Sequence, residues 1–241
     1  MTLETVTLAQ RPDLEREFGR AHQASWPTFM LHDPISNRTW HTLHSRFAEF
    51  QFLLLEGEDV VAIGNTMPVR WDGSPGDLPD GVDGVLVRTV DANEEPSVLS
   101  AMAAIVAPGW KGRGVSPLVL QEMRRLARGA GLRCLIGPVR PTLKDRYPLI
   151  LMEDYMQWRR EDGSHFDPWL RVHERLGARI LGVADRSMKV PGPVAQWEAW
   201  SGMTFPGSGR HIVPGALSPV DIDLERDQGI YAEQNVWMQH P

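Results

Sequence analysis

The sequence predicts an α/β protein with a mixed, twisted sheet, and two observations support this fold class. A near-continuous apolar run over residues 99–107 is typical of a strand buried on both faces. A helical pattern follows it, and Cys134-Leu-Ile136 begins another strand. A strand, a helix and a strand in close succession form a βαβ unit, which implies two parallel strands joined by a right-handed crossover.

The N-terminal part predicts a helix followed by a β-hairpin. The helix begins at Arg11-Pro12-Asp13, because proline suits a first helical turn, and it ends at Trp26-Pro27. Two strands are expected on either side of the turn Glu56-Gly-Glu-Asp59. The elements predicted here are a strand over 4–8, the helix over 11–26, an irregular stretch over 27–40, strands over 46–55 and 60–64, and a loop over 72–83.

Two helices are predicted in the second half of the chain. The first carries apolar residues at helical spacing from Val119 to Ala130 and stops at Gly129-Ala-Gly131. The second spans residues 167–176, with Asp167 as N-cap, Pro168 in the first turn and Gly177 after the last. The other predicted elements are a partly helical stretch over 147–162 and strands over 178–183, 187–190 and 229–238. Five large aromatic residues of the tail are expected to form a packed sheet face: Trp197, Trp200, Phe205, Tyr231 and Trp237.

Length and charge narrow the functional classes. The 241 residues fit one domain over 1–241, and the net charge of −6 argues against a nucleic-acid surface. No apolar run is long enough for a membrane span, and no N-terminal signal pattern is present, so we expect a cytoplasmic protein. The single cysteine, Cys134, cannot form an internal disulfide, and His41-x-x-His44 lacks a third ligand, so no metal is expected. Most basic residues are arginine, which we attribute to codon bias in a GC-rich bacterium.

The chemically informative segment is the glycine-rich loop at residues 106–116, between the buried strand and the helix. Glycines allow a phosphate to approach the backbone, and a helix start offers unpaired N–H groups and positive potential. The dinucleotide fingerprint fails because no third glycine follows Gly112-Arg-Gly114. A P-loop fails because its phosphate-binding lysine is absent. Coenzyme A is the third nucleotide considered for this loop.

The hexad Lys111-Gly-Arg-Gly-Val-Ser116, with Val106-x-Pro108 before it, resembles the signature of the GNAT acyltransferase superfamily. Downstream, His173-Glu-Arg-Leu-Gly-Ala178 resembles that family's Tyr-Glu-Lys-Leu-Gly-Phe, and the resemblance covers about residues 45–190. It implies the GNAT fold, a mixed sheet with a splayed parallel strand pair, and binding of acetyl-CoA or another acyl-CoA. The residues it assigns to the cofactor are Ile105 and Val106 for the pantetheine arm, and Lys111, Gly112, Arg113, Gly114, Val115 and Ser116 for the pyrophosphate. Arg113 is equally well explained as a solvated loop arginine.

In its candidate catalytic residues this chain departs from the family at two points. The buried strand carries no carboxylate, so Glu49 on the preceding strand is the remaining candidate base, with an exposed structural role as its alternative. His173 occupies the place of the tyrosine that faces the sulfur in the family. An imidazole there can donate or accept a proton near neutral pH.

Thr142 and His173 are similar to the threonine and histidine of a narrower branch, the GNAT-like loading domains of polyketide assembly lines. That resemblance implies decarboxylation of malonyl- or methylmalonyl-CoA, or S-acyl transfer to a carrier-protein thiol. Arg140 would then bind a carboxylate, with a surface role as its alternative.

Three hypotheses therefore stand: an acyltransferase acting on a small molecule or carrier protein, a decarboxylase or S-acyltransferase of the loading type, and a non-catalytic CoA-binding module. The stretches 26–40 and 147–166 are expected to shape the acceptor pocket, and Trp26 is assigned to the substrate. The aromatic-rich tail is a candidate face for a homodimer.

Overall fold

A computed structural model describes residues 3–91 and 94–241 of the chain. Within these residues nine strands form one sheet, in the order β1-β2-β3-β4-β5-β9-β8-β7, with β6 also paired to β9. The strands are β1 (Glu4–Thr7), β2 (Gln51–Glu56), β3 (Asp59–Val69), β4 (Val98–Val106), β5 (Leu135–Val139), β6 (Arg179–Gly192), β7 (Gly209–His211), β8 (Val220–Asp223) and β9 (Gln228–His240). The predicted mixed α/β sheet is confirmed, with β4 and β5 as its parallel pair.

Helices cover both faces of the sheet. They are α1 (Glu15–Ser25), α2 (Pro34–Thr39), α3 (His41–Arg46), α4 (Gly81–Asp91), α5 (Val115–Gly129), α6 (Met152–Tyr155), α7 (Pro168–Arg175) and α8 (Val194–Ser201). On one face, α5 buries Val119 and Met123 against Leu99 of β4, while on the other α4 packs Val85 against Met67 of β3. In the described part of the chain, no helix is both long and apolar enough to cross a bilayer.

The two helices with clear sequence signals form as predicted. In α5 the buried residues recur at helical spacing, as an amphipathic helix requires. In α7 the Asp167 carboxylate accepts hydrogen bonds from the backbone N–H groups of Trp169 and Leu170, so it caps the helix. This cap fixes the first turn of the helix that carries His173.

Several boundaries predicted from the sequence are wrong. The stretch 27–40 contains α2, and the strand expected from Arg46 begins only at Gln51, after α3 and a short 3-10 turn over Ala48–Phe50. Glu49 therefore lies in an exposed turn instead of on a strand. The two strands predicted over 178–190 are one long strand, β6, with irregular pairing between Ala184 and Met188.

The loop expected over 72–83 ends earlier than predicted, because α4 begins at Gly81. Gly81 has a φ of 57°, and a Cβ there would lie 2.2 Å from Ser187 of β6. Glycine is present because the start of the helix lies directly on the strand, where Ser187 Oγ accepts the N–H of Val82. Gly81 favours a loop when only the local sequence is considered. The structure shows that it is instead required by the packing of α4 against β6. The tail also contains α8, whose Trp197 is buried against Phe29 and Tyr231.

Candidate active site

A single cavity of about 680 Å³ gathers most of the polar groups of interest. Its walls come from β4, the end of β5, the loop before α5, the N-terminal segment over 18–44, α7 and β9. Its polar lining includes His22, His44, Arg140, Thr142, His173 and Glu233. Glu233 is the one carboxylate among the described residues that line the cavity.

The cavity enters the sheet where β4 and β5 separate. Their parallel pairing consists of Leu99 with Leu135 and Ser100 with Ile136, after which the two strands diverge. Residues 101–106 of β4 and 137–139 of β5 then line the cavity, Ile105 and Val106 among them. The gap exposes strand edges to which an extended, amide-containing chain can form hydrogen bonds.

At one end of this gap, the glycine loop leads into α5. Gly112 and Gly114 have φ values of 77° and 76°, and, apart from their chain neighbours, no described residue has an atom within 4 Å of the position that a Cβ would occupy at either. The N-cap residue Gly114 provides no side-chain hydrogen bond to the first turn of α5. The N–H groups of the first turn therefore lack a side-chain cap, and the open backbone fits a diphosphate.

The side chains of the glycine loop differ in whether they face the cavity. Lys111 and Ser116 line the cavity, whereas Arg113 is exposed and lies over the Trp110 ring at 5.2 Å. Val115 is buried in the core, so only its backbone N–H is available to a ligand.

His173 is buried, with 3% of its surface exposed, and it forms a pair with a second histidine. Its Nδ1 lies 2.9 Å from Nε2 of His240 on β9, and its own Nε2 has no hydrogen-bond partner in the described chain. Burial, with a smaller contribution from His240, holds the pKa of His173 well below its ordinary value. Burial and the positive charge of Arg124 lower the pKa of His240 to about 4. Both rings are therefore neutral at pH 7, so His173 acts as a neutral hydrogen-bonding group and does not change charge near neutrality.

An ion pair lies at the end of β5. Arg140 Nε donates to Glu233 Oε2 at 2.9 Å, and one Nη donates to the carbonyl of Gly215. The Tyr231 hydroxyl and the Asn235 amide also donate to the Glu233 carboxylate. Burial disfavours a charged guanidinium, but Glu233, Tyr231 and Asp145 together outweigh this effect and raise the pKa of Arg140. The second Nη of Arg140 has no protein partner among the described residues, so it is available to a ligand.

On the N-terminal wall of the cavity, a chain of hydrogen bonds connects Trp26, His22, Asn65 and Gln51. Trp26 Nε1 donates to His22 Nδ1 at 2.9 Å, and His22 Nε2 lies 2.9 Å from Asn65 Oδ1 on β3. The Asn65 amide donates in turn to Gln51. Since indole can only donate, neutral His22 carries its proton on Nε2. Both of its nitrogens are occupied, and Trp26 is held with its ring 5.9 Å from the Arg140 guanidinium carbon.

Some of the predicted site residues line the cavity in the structure, and others do not. His173, Thr142, Arg140 and Trp26 line the same cavity, with Thr142 exposed. Glu49 lies outside the residues that line it and is exposed, so we withdraw it as a candidate base. Of the two stretches expected to shape the acceptor pocket, 26–40 lines the cavity, whereas 147–166 contributes no residue to its lining and packs Tyr155 in the core.

Glu233 and His240 are not predicted as site residues from the sequence, and neither are the hydrogen bonds of His22 to Trp26 and Asn65. A signal existed for Glu233: Tyr231, Glu233, Asn235 and Trp237 alternate along β9 and share its buried face. An acidic residue on the apolar face of a strand indicates either a buried ion pair or a functional site. No comparable local signal marked His240, whose partner lies 67 residues away.

Comparison with known proteins adds one clear relative. No protein-family model matches the chain. The chain is 33% identical over 270 residues to an arginine N-acetyltransferase, avaD, of Aspergillus versicolor, and the match covers 98% of this chain and 92% of that protein.

Two solved structures share the fold at low sequence identity. One is the loading GNATL domain of CurA from Lyngbya majuscula, with a TM-score of 0.62, 15% identity, and coverage of 99% of this chain and 96% of that one. The other is the GphF GNAT-like decarboxylase in complex with isobutyryl-CoA, with a TM-score of 0.60, 17% identity, and coverage of 100% and 98%. Their likeness to this chain is one of fold.

Proposed function

Since the chain belongs to the GNAT acyltransferase superfamily, we propose that it transfers an acetyl group from acetyl-CoA to a nitrogen of arginine. The observation that carries the proposal is the Arg140–Glu233 pair in the cavity that also contains His173. The free Nη of Arg140 is a cationic donor that complements the carboxylate of an arginine acceptor, while Glu233 holds the guanidinium in place. The 33% identical arginine N-acetyltransferase supports the same acceptor.

The placement of the predicted cofactor residues supports a role for each of them. The backbone N–H groups from Gly112 to Ser116 bind the diphosphate, with Lys111 adding positive charge, and the gap beside Ile105 and Val106 holds the pantetheine arm. Acetyl-CoA supplies the activated acetyl group as a thioester.

His173 is proposed to donate a hydrogen bond from Nε2 to the departing sulfur. This requires the tautomer in which His240 Nε2–H donates to His173 Nδ1, which places the His173 proton on Nε2. A neutral imidazole is a poor acid, so His173 stabilises the thiolate by this hydrogen bond and does not give up its proton.

Substitution of Gly114 by valine is expected to raise the KM for acetyl-CoA at least about tenfold, because a β-branched residue is strained at positive φ and its side chain fills the diphosphate position. Steady-state kinetics with varied acetyl-CoA measures the effect. The matched control is Gly129→Ala at the other end of the same helix, where a Cβ also meets nothing within 4 Å and φ is not positive. Equal KM values for the two variants would contradict the proposed diphosphate site.

A second candidate activity, decarboxylation of malonyl- or methylmalonyl-CoA or S-acyl transfer, is favoured by Thr142, Arg140 and His173 lining one cavity. The free Nη of Arg140 would bind the acyl carboxylate in that reaction.

The test of the proposed function is incubation with acetyl-CoA and L-arginine, with free thiol and the mass of the arginine product followed in time. Acetylarginine formation with stoichiometric CoA release supports the proposal. Conversion of malonyl-CoA to acetyl-CoA without arginine acetylation would replace it with the decarboxylase. Acetyl-CoA binding with neither reaction would favour a non-catalytic CoA-binding module.

A further inference from the structure

Transfer of an acetyl group to an amine requires a group that takes the proton of that amine. In the cavity, β4 offers no carboxylate, since its residues 98–106 are Val-Leu-Ser-Ala-Met-Ala-Ala-Ile-Val. Glu233 already accepts hydrogen bonds from three side chains, and its charge is balanced by Arg140. His22 has hydrogen-bond partners at both nitrogens, so its basic lone pair is occupied by the Trp26 indole.

His44 on α3 is the imidazole of the N-terminal wall that keeps a free nitrogen. Its Nδ1 lies 3.3 Å from Oε1 of Glu15 at the start of α1, so this nitrogen carries the proton and donates to the carboxylate. Its Nε2 is buried and has no hydrogen-bond partner in the described residues, although the ring lines the cavity. Leaving a buried nitrogen without a hydrogen bond is unfavourable, so its presence at a cavity wall indicates a partner supplied by a ligand.

The charged and titratable groups around His44 are consistent with a neutral ring. Glu15 faces it from α1, and His22 faces it from the same helix, close enough for the two rings to influence each other electrostatically. Burial lowers the pKa of His44, and the hydrogen bond to Glu15 opposes this only in part. The lone pair of Nε2 is therefore free at neutral pH.

We propose that His44 is the general base of the acetyl transfer, and that Glu15 is a positioning residue that fixes its tautomer. The inference rests on the proposed function, because it assigns a role within that reaction. His44 and Glu15 together resemble in chemistry a carboxylate–imidazole pair, in which the carboxylate orients the ring and leaves the far nitrogen basic.

The proton and bond balance is simple. The acceptor nitrogen first releases one proton to solvent and reacts in its neutral form. As it forms its bond to the acetyl carbon and the carbon–sulfur bond breaks, His44 Nε2 takes the second proton that the nitrogen loses. The sulfur leaves as a thiolate that accepts a hydrogen bond from His173 and then a proton from solvent. Between turnovers His44 returns this proton to water that enters the cavity after the product has left.

The first test is His44→Gln compared with His41→Gln. His41 is exposed on the same helix and lies outside the cavity lining, which makes it the matched control. We expect kcat for arginine acetylation to fall about 100-fold in His44→Gln, the lower end of the usual range for a general base, and to stay within about twofold in His41→Gln. Acetyl-CoA affinity, measured by calorimetry, should be unchanged in both, which confirms that both variants fold.

The pH profile separates a base from a structural residue. Protonation of His44 removes its lone pair, so kcat of the wild type should fall as the pH drops through the pKa of His44, below the ordinary histidine value. His44→Gln should lack this acid limb, and added imidazole should accelerate His44→Ala. A His44→Gln variant that binds acetyl-CoA and keeps wild-type kcat, or an His44→Ala variant unaffected by imidazole, would overturn the proposal.

Glu15 gives the second test. Glu15→Gln should lower kcat about tenfold and leave the KM for acetyl-CoA unchanged, whereas Glu17→Gln, which removes a surface pairing with Arg20, should have no effect. Equal kcat values for the two variants would overturn the positioning role. Failure of the wild-type protein to acetylate arginine would instead refute the proposed function, so the two failures are distinguishable.

Discussion

Replacing His173 by phenylalanine is expected to lower kcat for acetyl transfer about 100-fold, the lower end of the range for removing one donor to a developing anion. Phenylalanine has a ring of similar size but no N–H to donate to the thiolate. The side chain is buried, so the variant also leaves His240 without its partner at Nε2. Single-turnover kinetics by rapid mixing measures the chemical step directly.

The control for this prediction is His173→Gln. A glutamine amide can still donate a hydrogen bond, so this variant should retain more activity than His173→Phe while losing the same histidine pair. Thermal melting shows whether either variant is unstable. Equal activities in the two variants, both folded, would contradict a role for the His173 donor.

Removing either member of the Arg140–Glu233 pair is expected to destabilise the fold by about 3 kcal/mol, because the remaining charge is left buried without its partner. Arg140→Met and Glu233→Leu test this by chemical denaturation. The same variants should raise the KM for arginine about 10- to 100-fold, the range for loss of a hydrogen bond to a charged group.

The double variant Arg140→Met/Glu233→Leu separates stability from recognition. Apolar residues of similar volume often replace a buried ion pair without loss of stability, so the double variant should regain most of the lost stability. It should not regain arginine binding. Agmatine, which lacks the carboxylate of arginine, should be the poorer acceptor for the wild type and an equal one for Arg140→Met. Recovery of both stability and a low KM for arginine in the double variant would show that the pair is only structural.

The parts of the fold predicted from the sequence are those encoded by local signals. The βαβ unit has an apolar strand, a helical repeat and a glycine stop, and α7 has Asp167 and Pro168 at its start. Helix α4 was missed because Gly81 suggests a loop, whereas that glycine is required by contact with Ser187, more than 100 residues later in the chain. A contact between residues so far apart along the chain produces no periodic pattern in a single sequence.

The candidate site shows the same difference between features encoded locally and features that depend on distant contacts. The glycine loop and His173 were found because they lie in contiguous motifs, and the structure places His173 in the cavity beside β4 and β5. The hydrogen-bond partners of the cavity side chains come from distant parts of the chain: Glu233 lies 93 residues from Arg140, and Glu15 lies 29 residues from His44. Glu49 was placed on a strand because that strand was predicted to begin five residues too early, whereas the structure has it in an exposed turn outside the cavity lining.

The most direct test of this account is a crystal structure of the protein with acetyl-CoA and arginine. We expect a diphosphate on the backbone N–H groups from Gly112 to Ser116, a pantetheine arm between β4 and β5, and the thioester sulfur within hydrogen-bond distance of His173 Nε2. The arginine carboxylate should contact the free Nη of Arg140. A coenzyme bound away from the gap between β4 and β5, or a His173 ring turned away from the sulfur, would contradict it.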